Sequence, residues 1–231
     1  MSSTNRILVT GVTSGLGKYI YENISDCVGM TRENRHYVLK DEYDLIIHCA
    51  FSSERGNDIT DYFEYIDSNI LLTNELVNTK HKKFVYISSV VVYDEGYSNY
   101  KSTKFYSESI VEKKSDNFLI LRVPVMLGVD IRPNTIWKII KEDKPKLTLH
   151  QDSTFNYVLH SDILDYIFID EKGIKNFVSE DNITLGEIKE LVNGNCEFGN
   201  YKFVTPKLDG VKWKTSRQVV EEFKEMVWKR Y

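Results

Sequence analysis

Short apolar runs recur along the first half of the chain, with stripes at helical spacing between them. Ile7-Leu8-Val9-Thr10 is the first run, and Leu16, Ile20 and Ile24 follow it across a glycine-bearing turn, which predicts strand, loop and helix. A short strand is expected near Cys27 to Met30 and a stronger one over Asp44 to His48, where the unbroken Leu45-Ile46-Ile47 calls for burial on both faces. Tyr62, Phe63, Ile66, Ile70 and Leu76 fall on one stripe of a helix over about Ile59 to Asn78. The strand Phe84-Val85-Tyr86-Ile87, a helix from about Tyr100 to Val111 and the strand Phe118 to Val123 continue the alternation. Parallel strands need crossover connections that pack on a sheet face, so this order predicts an α/β fold, a doubly wound parallel sheet. The segment from Arg32 to Tyr43 is too short for a strand and a full helix, so one crossover is expected to be trimmed.

Beyond Gly128 the alternation loosens. A helix is expected near Thr135 to Ile140, short strands around Leu147 to Leu149 and Phe155 to Leu159, and a helix from about Ser161 to Ile169. Thr184 to Glu187 and Thr215 to Gln218 have capping-box spacing, the second opening a helix with Val219, Val220, Phe223, Met226 and Val227. The division expected is a core over 1–128 and a smaller lobe with C-terminal helices over 129–231, partly returning to the core.

Charge and composition narrow the partners. With 30 basic residues against 34 acidic ones the net charge is -4, and no long basic block is present, which sets nucleic acid aside. No apolar stretch reaches a membrane-spanning length, and MSSTNR leads into the first strand without the apolar core of a signal peptide. The three cysteines, Cys27, Cys49 and Cys196, are odd in number and far apart, which suits no disulfide framework and points to a reducing cytoplasm. No histidine pair has metal-ligand spacing, so no metal is expected. The remaining partner is a small molecule.

Two motifs carry chemistry. The turn Thr10-Gly11-Val12-Thr13-Ser14-Gly15-Leu16-Gly17 spaces its glycines as GxxxGxG between a strand and a helix. Glycines there let the chain turn sharply and let a pyrophosphate approach the backbone at a helix N-terminus, whose free N–H groups carry partial positive charge. The second motif is Ser88-Ser89-Val90-Val91-Val92-Tyr93 followed by Tyr100-Lys101-Ser102-Thr103-Lys104. One helical turn separates Tyr100 from Lys104, so a cation lies on the same face as a phenol that would otherwise ionise near pH 10. No GxSxG elbow surrounds Ser88 or Ser89, which argues against a serine hydrolase.

Together these motifs resemble the short-chain dehydrogenase/reductase superfamily. Asn69, Leu121-Arg122-Val123-Pro124 and the Phe155-to-Asp162 segment resemble its extended branch of nucleotide-sugar-modifying, NAD-dependent epimerases and dehydratases, in a shortened form. The resemblance implies a Rossmann-type core with a small C-terminal substrate lobe. It makes Tyr100 the general acid/base, gives Lys104 the tasks of lowering the Tyr100 pKa and binding the nicotinamide ribose, and lets Ser89 hydrogen-bond the reacting oxygen. It places Gly11, Thr13, Ser14, Gly15, Leu16, Gly17, Arg32, Cys49, Ala50, Asn69, Tyr100, Lys104, Pro124 and Val125 along the cofactor. The second strand is read as ending Met30-Thr31-Arg32, without the acidic residue usual for NAD, so NADP is favoured with NAD as the alternative. A homodimer through the helices near Ile59 to Asn78 and Tyr100 to Val111 is also implied.

Departures from the pattern limit the reaction. Val90 and Val91 stand where dehydratases of this branch carry acidic residues, so dehydration lacks its acid and base. Only six residues separate Tyr93 from Tyr100, and Thr154 replaces a common basic residue before Phe155. The leading expectation is an NAD(P)-dependent ketoreductase or dehydrogenase acting on a sugar that is nucleotide-activated. The alternatives are a nucleotide-sugar 4-epimerase with retained NAD, and a non-catalytic dinucleotide sensor, which would have no need of Ser89, Tyr100 and Lys104.

Overall fold

The computed structural model describes residues 6–52, 62–129, 131 and 134–229. In the unit made of residues 1–122 and 167–175, β1 (Ile7–Thr10) lies between β2 (Cys27–Met30) and β3 (Tyr43–His48), with β4 (His81–Ser89) beyond β3 and β5 (Phe118–Val123) beyond β4. All the registers along β2, β1, β3 and β4 are parallel, with Leu8 opposite both Val28 and Ile46, and Ile46 opposite Phe84. β9 (Gly173–Val178) and β11 (Val211–Lys212) complete a seven-stranded sheet in the order β2-β1-β3-β4-β5-β9-β11. This is the expected Rossmann-type, doubly wound sheet. The chain reverses direction of travel between β1 and β3, and the crevice at their C-terminal ends is where such folds place ligands.

The unbroken apolar runs follow from burial on both faces. Leu8, Ile46, Phe84, Tyr86 and Ile120 pack with Leu72, Leu76, Val77 and Val111, while the alternate residues Val9, Ile47 and Val85 are buried as well. α1 (Gly15–Asn23) follows the glycine turn, and α2 (Arg35–Val38) is the trimmed crossover, a single turn. α5 (Asn99–Lys114) starts at Ser98, whose side chain accepts the Lys101 N–H at 3.1 Å.

The helix before β4 differs from expectation. Its start at Ile59 lies outside the described residues; within them it runs as α3 (Tyr62–Ile66), a π-helical turn over Asp67–Leu71, and α4 (Leu72–Asn78). The expected stripe does not hold as one face: Tyr62 and Phe63 are exposed, whereas Tyr65, Leu72, Leu76 and Val77 are buried. The π turn inserts an extra residue into the helical repeat and so rotates the buried face part-way along.

The unit of residues 123–166 and 176–231 holds two small sheets. β6 (Val125–Leu127) pairs parallel with β8 (Tyr157–Leu159), and β7 (Thr154–Phe155) antiparallel with β10 (Ile183–Thr184). Leu127, Ile136, Ile139, Tyr157, Ile188, Val220 and Phe223 share one core, supplied in part by α6 (Thr135–Lys141), α8 (Leu185–Val192) and α9 (Ser216–Lys229). α7 (His160–Ile167) occupies the expected helical segment after β8. Both capping boxes form: Thr184 and Glu187 exchange side-chain-to-backbone bonds, as do Thr215 and Gln218. The strand expected over Leu147 to Leu149 is instead a pair of isolated bridges, Lys146 to Glu197 and Leu149 to Tyr201, because its partner segment runs alongside for too few residues to form a ladder. Among the described residues no helix is long and apolar enough to cross a membrane, and no cluster of His, Cys, Asp and Glu is placed to hold a metal.

Candidate active site

The glycine turn closes onto the segment after β3. Gly11 has φ +76°, and a Cβ there would come within 2.9 Å of the Ala50 nitrogen; a Cβ on Gly17 would come within 2.4 Å of the Gly11 carbonyl oxygen. At both positions the backbone comes against itself too closely for a side chain, and only glycine permits it. α1 begins immediately after, and its N-cap Ser14 gives no side-chain hydrogen bond to the helix amides, leaving N–H groups directed at the crevice. Thr13 and Ser14 are exposed, Gly15 is half-buried, and the Leu16 side chain is in the core.

Tyr100 and Lys104 sit one turn apart near the start of α5, and Ser89 ends β4. Lys104 is buried at 4% exposure, and its Nζ donates to the Ile87 carbonyl at 2.8 Å, which ties α5 to the last residues of β4. The ammonium lies between two aromatic faces, with Phe51 at 4.1 Å and Tyr86 at 5.0 Å from Nζ to ring centroid. Phe51 also meets Tyr100 edge to face at 5.0 Å between centroids, so one ring touches both members of the pair. Burial pushes the Lys104 pKa down to about 7, with Cys49 and Glu108 acting in the opposite direction. Ser89 Oγ accepts the Val91 N–H at 3.3 Å, capping the short 3₁₀ turn Val90–Tyr93 and leaving the hydroxyl hydrogen as its donor.

A buried polar chain fixes the segment from His48 to Ser52. Thr10 Oγ1 accepts the N–H groups of Cys49 and Ala50 at 3.2 and 3.0 Å and lies 2.8 Å from His48 Nδ1. With its acceptor sites used, the Thr10 hydroxyl donates to Nδ1, so His48 carries its hydrogen on Nε2 and gives it to Thr73 Oγ1 at 2.9 Å. Burial, and secondarily the Lys104 charge, holds the His48 pKa down to about 3, so the ring is neutral. Thr73 and Ser107 both donate to the Asn69 carbonyl at 2.8 Å, an acceptor within the π turn, where helical hydrogen bonding is interrupted. The Asn69 side chain in turn accepts the Ser52 N–H at 2.7 Å. Cys49 lies inside this frame, and burial pushes its thiol up to about 12, Lys104 opposing.

Below the pair, Glu108 is buried and accepts hydrogen bonds from Nε and Nη2 of the Arg122 guanidinium, the closest at 2.6 Å, and from the Ser88 hydroxyl at 2.5 Å. Arg122 also donates to the Tyr93 hydroxyl at 2.6 Å. This cluster binds α5, β5 and the residue before Ser89 to one another. Sequence reasoning gave these residues no role, although an arginine within the apolar run Leu119-Ile120-Leu121 and a glutamate one turn beyond Lys104 are a visible signal of a buried pair. Phe51 was also missed; it follows directly on the Cys49-Ala50 segment that the resemblance places beside the cofactor.

Of the residues expected along the cofactor, the structure brings together the glycine turn, Cys49, Ala50, Asn69, Tyr100 and Lys104 within one unit. Arg32 stands in the loop after β2, braced by Asn34, which accepts the Thr31 N–H and donates to the Gly29 carbonyl. Its guanidinium is largely exposed, pairs with Glu64 at 2.7 Å, and lines an open groove with Arg35, His36 and Lys40. Pro124 and Val125 belong to the other unit, where the Val125 N–H donates to the Asn156 carbonyl at 3.2 Å.

A model of the NAD dependent epimerase/dehydratase family matches residues 9–135. No curated protein matches the chain. Among solved structures it is similar to MoeE5 in complex with UDP-glucose and NAD, at 14% identity, TM-score 0.79, covering 97% of this chain and 99% of that one. It is similar to the dTDP-4-dehydrorhamnose reductase of Bacillus anthracis in complex with NADP, at 14% identity, TM-score 0.79, covering 95% and 98%. It is likewise similar to the UDP-glucuronic acid 4-epimerase of Bacillus cereus in complex with NAD, at 18% identity, TM-score 0.75, covering 98% and 99%.

The Glu108 cluster yields a direct test. Glu108→Gln removes the carboxylate and leaves the Arg122 guanidinium buried without its counter-charge, which is expected to destabilise the protein by about 3 kcal/mol. Urea denaturation measures it, and a loss below about 1 kcal/mol, the range of an exposed pair, would contradict the assigned role.

Proposed function

The chain belongs to the NAD dependent epimerase/dehydratase family, and on that premise we propose that it is an NAD(P)-dependent oxidoreductase acting on a keto or hydroxyl carbon of a nucleotide-activated sugar. The observation that carries the reading is the meeting of Tyr100 and Lys104 on one ring, at the end of β4, in the same unit as a glycine turn that opens onto the N-terminus of α1. The ligands in the similar solved structures, UDP-sugars with NAD and a reductase with NADP, supply the substrate class proposed. In this reading residues 1–128 hold the dinucleotide and residues 129–231 supply the substrate lobe, and the protein works as a cytoplasmic homodimer.

The glycine turn, with Thr13, Ser14 and the amides of α1, would hold the pyrophosphate, and the open space beside Gly15 leaves room for it. The dinucleotide, when bound, supplies or accepts the hydride. Tyr100 holds the proton that the substrate oxygen gains or loses at its Oη, and the adjacent Lys104 ammonium stabilises the phenolate left behind. Ser89 donates its hydroxyl hydrogen to the same substrate oxygen and orients it. His48, Asn69 and Thr10 hold the segment carrying Cys49, Ala50 and Phe51 in place. Arg32, in a groove lined also by Arg35, His36, Leu39, Lys40 and Glu75, would bring a guanidinium to a 2′-phosphate and so favours NADP.

Tyr100→Phe is expected to abolish reduction of a nucleoside-diphosphate 4-keto sugar, followed as NADPH absorbance, while NADPH affinity stays within about threefold, because the proton is lost and the ring kept. Full turnover in that variant would overturn the assignment; a protein purified with NAD it never releases would mark an epimerase instead. In the same fluorescence titrations, Arg32→Asp should weaken NADPH about ten- to a hundredfold and spare NADH. Equal affinities in both proteins would remove the Arg32 role.

The homodimer has support in Phe63, Phe105 and Tyr106, which leave α3 and α5 with exposed aromatic rings, at 74%, 56% and 62% exposure. Light scattering at micromolar concentration is expected to give twice the chain mass of 27.0 kDa, and a monomer would contradict it.

A further inference from the structure

Phe51 covers the face of Lys104 that the proposed chemistry needs. An ammonium has three N–H donors, and in Lys104 one goes to the Ile87 carbonyl while the rings of Phe51 and Tyr86 flank the rest. The Phe51 centroid is 4.1 Å from Nζ, which is van der Waals contact. A ribose hydroxyl needs its oxygen about 2.7–3.2 Å from that nitrogen, and no oxygen fits between the ammonium and a ring already touching it. The side of the lysine that Phe51 covers is closed to a ribose diol while the ring is where it is.

The backbone on either side of Phe51 is fixed. Cys49 and Ala50 are held by Thr10 Oγ1, and Ser52 is held by Asn69 through its N–H at 2.7 Å. The Phe51 side chain is only half-buried, with its edge toward Tyr65 at 6.3 Å and Tyr100 at 5.0 Å between centroids. The movable part is therefore the ring itself, by rotation about its own side-chain bonds.

We propose that Phe51 is a gate on the nicotinamide end of the dinucleotide site, its ring resting on the Lys104 ammonium and swinging aside to admit the ribose. This rests on the dinucleotide reading above. Binding then has to break the contact between ring and cation before the ribose contact forms, so the gate lowers affinity for the whole dinucleotide and does nothing to its adenosine half. It also shields a desolvated ammonium from water whenever the ribose is not there.

The test titrates NADPH, NADH and the adenosine halves, adenosine 2′,5′-bisphosphate and ADP, into wild type, Phe51→Ala and Phe51→Leu. Removing the ring should tighten binding of whichever dinucleotide the wild type takes by about three- to thirtyfold, with Phe51→Leu in between, and leave the adenosine halves unchanged. The unchanged halves also report that the variants are folded. Weaker or unchanged dinucleotide affinity in Phe51→Ala, with the halves still bound, would overturn the gate and make Phe51 a plain wall of the site. If neither dinucleotides nor halves bind to any of the three folded proteins, the dinucleotide reading itself falls and the gate with it.

Discussion

The arrangement of the candidate site depends on one buried cation. Lys104 carries its ammonium into a space walled by two aromatic rings and gives it a single backbone acceptor, the Ile87 carbonyl. Removing a charge from water is costly unless the surroundings compensate, and here compensation is partial: burial drives the pKa to about 7, where the lysine can both hold and release a proton near neutrality. Burial keeps His48 neutral, and the Lys104 charge adds to the effect. A phenol next to such a cation gains an easier route to its phenolate, which is what the proposed acid/base role of Tyr100 requires.

The rest of the unit can be understood as holding that cation in place. Helix α5 must bring Lys104 to the end of β4, and Glu108, one turn further along, ties the same helix to Arg122 on β5 and to Ser88 beside Ser89. On the other side, the chain from Thr10 through His48 and Thr73 to Asn69 runs from β1 to the π turn and spans the segment that ends in Phe51. The Asn69 carbonyl, in the π turn, accepts both hydroxyl donors, and so ties the turn to α4 and α5. Every member of the chain has a partner, the condition under which a buried polar network fixes one arrangement rather than weakening the core.

Much of this could be read from the sequence. The parallel sheet followed from the unbroken Leu45-Ile46-Ile47 and the recurring helical stripes, and both capping boxes followed from their spacing, since these signals are local. What escaped depends on contacts distant in sequence. Periodicity alone could not reveal that the π turn would expose Tyr62 and Phe63, and β11, at two residues, carries too little pattern to see. Tyr100, Lys104 and Ser89 could be named as candidates because motif spacing picks them out. Phe51 was not, because its contacts with Lys104 and Tyr100 join residues about fifty positions apart and a lone phenylalanine after Cys49-Ala50 has no signature of its own.

The measurement closest to the centre of this account is the titration of Lys104 itself, by NMR of protein carrying ¹³C-labelled lysine, with Lys104→Arg to assign the resonance. The account predicts a midpoint near pH 7, well separated from the surface lysines. A midpoint near the ordinary lysine value of about 10.4 would show the ammonium to be solvated, and would contradict the buried cation on which the arrangement depends.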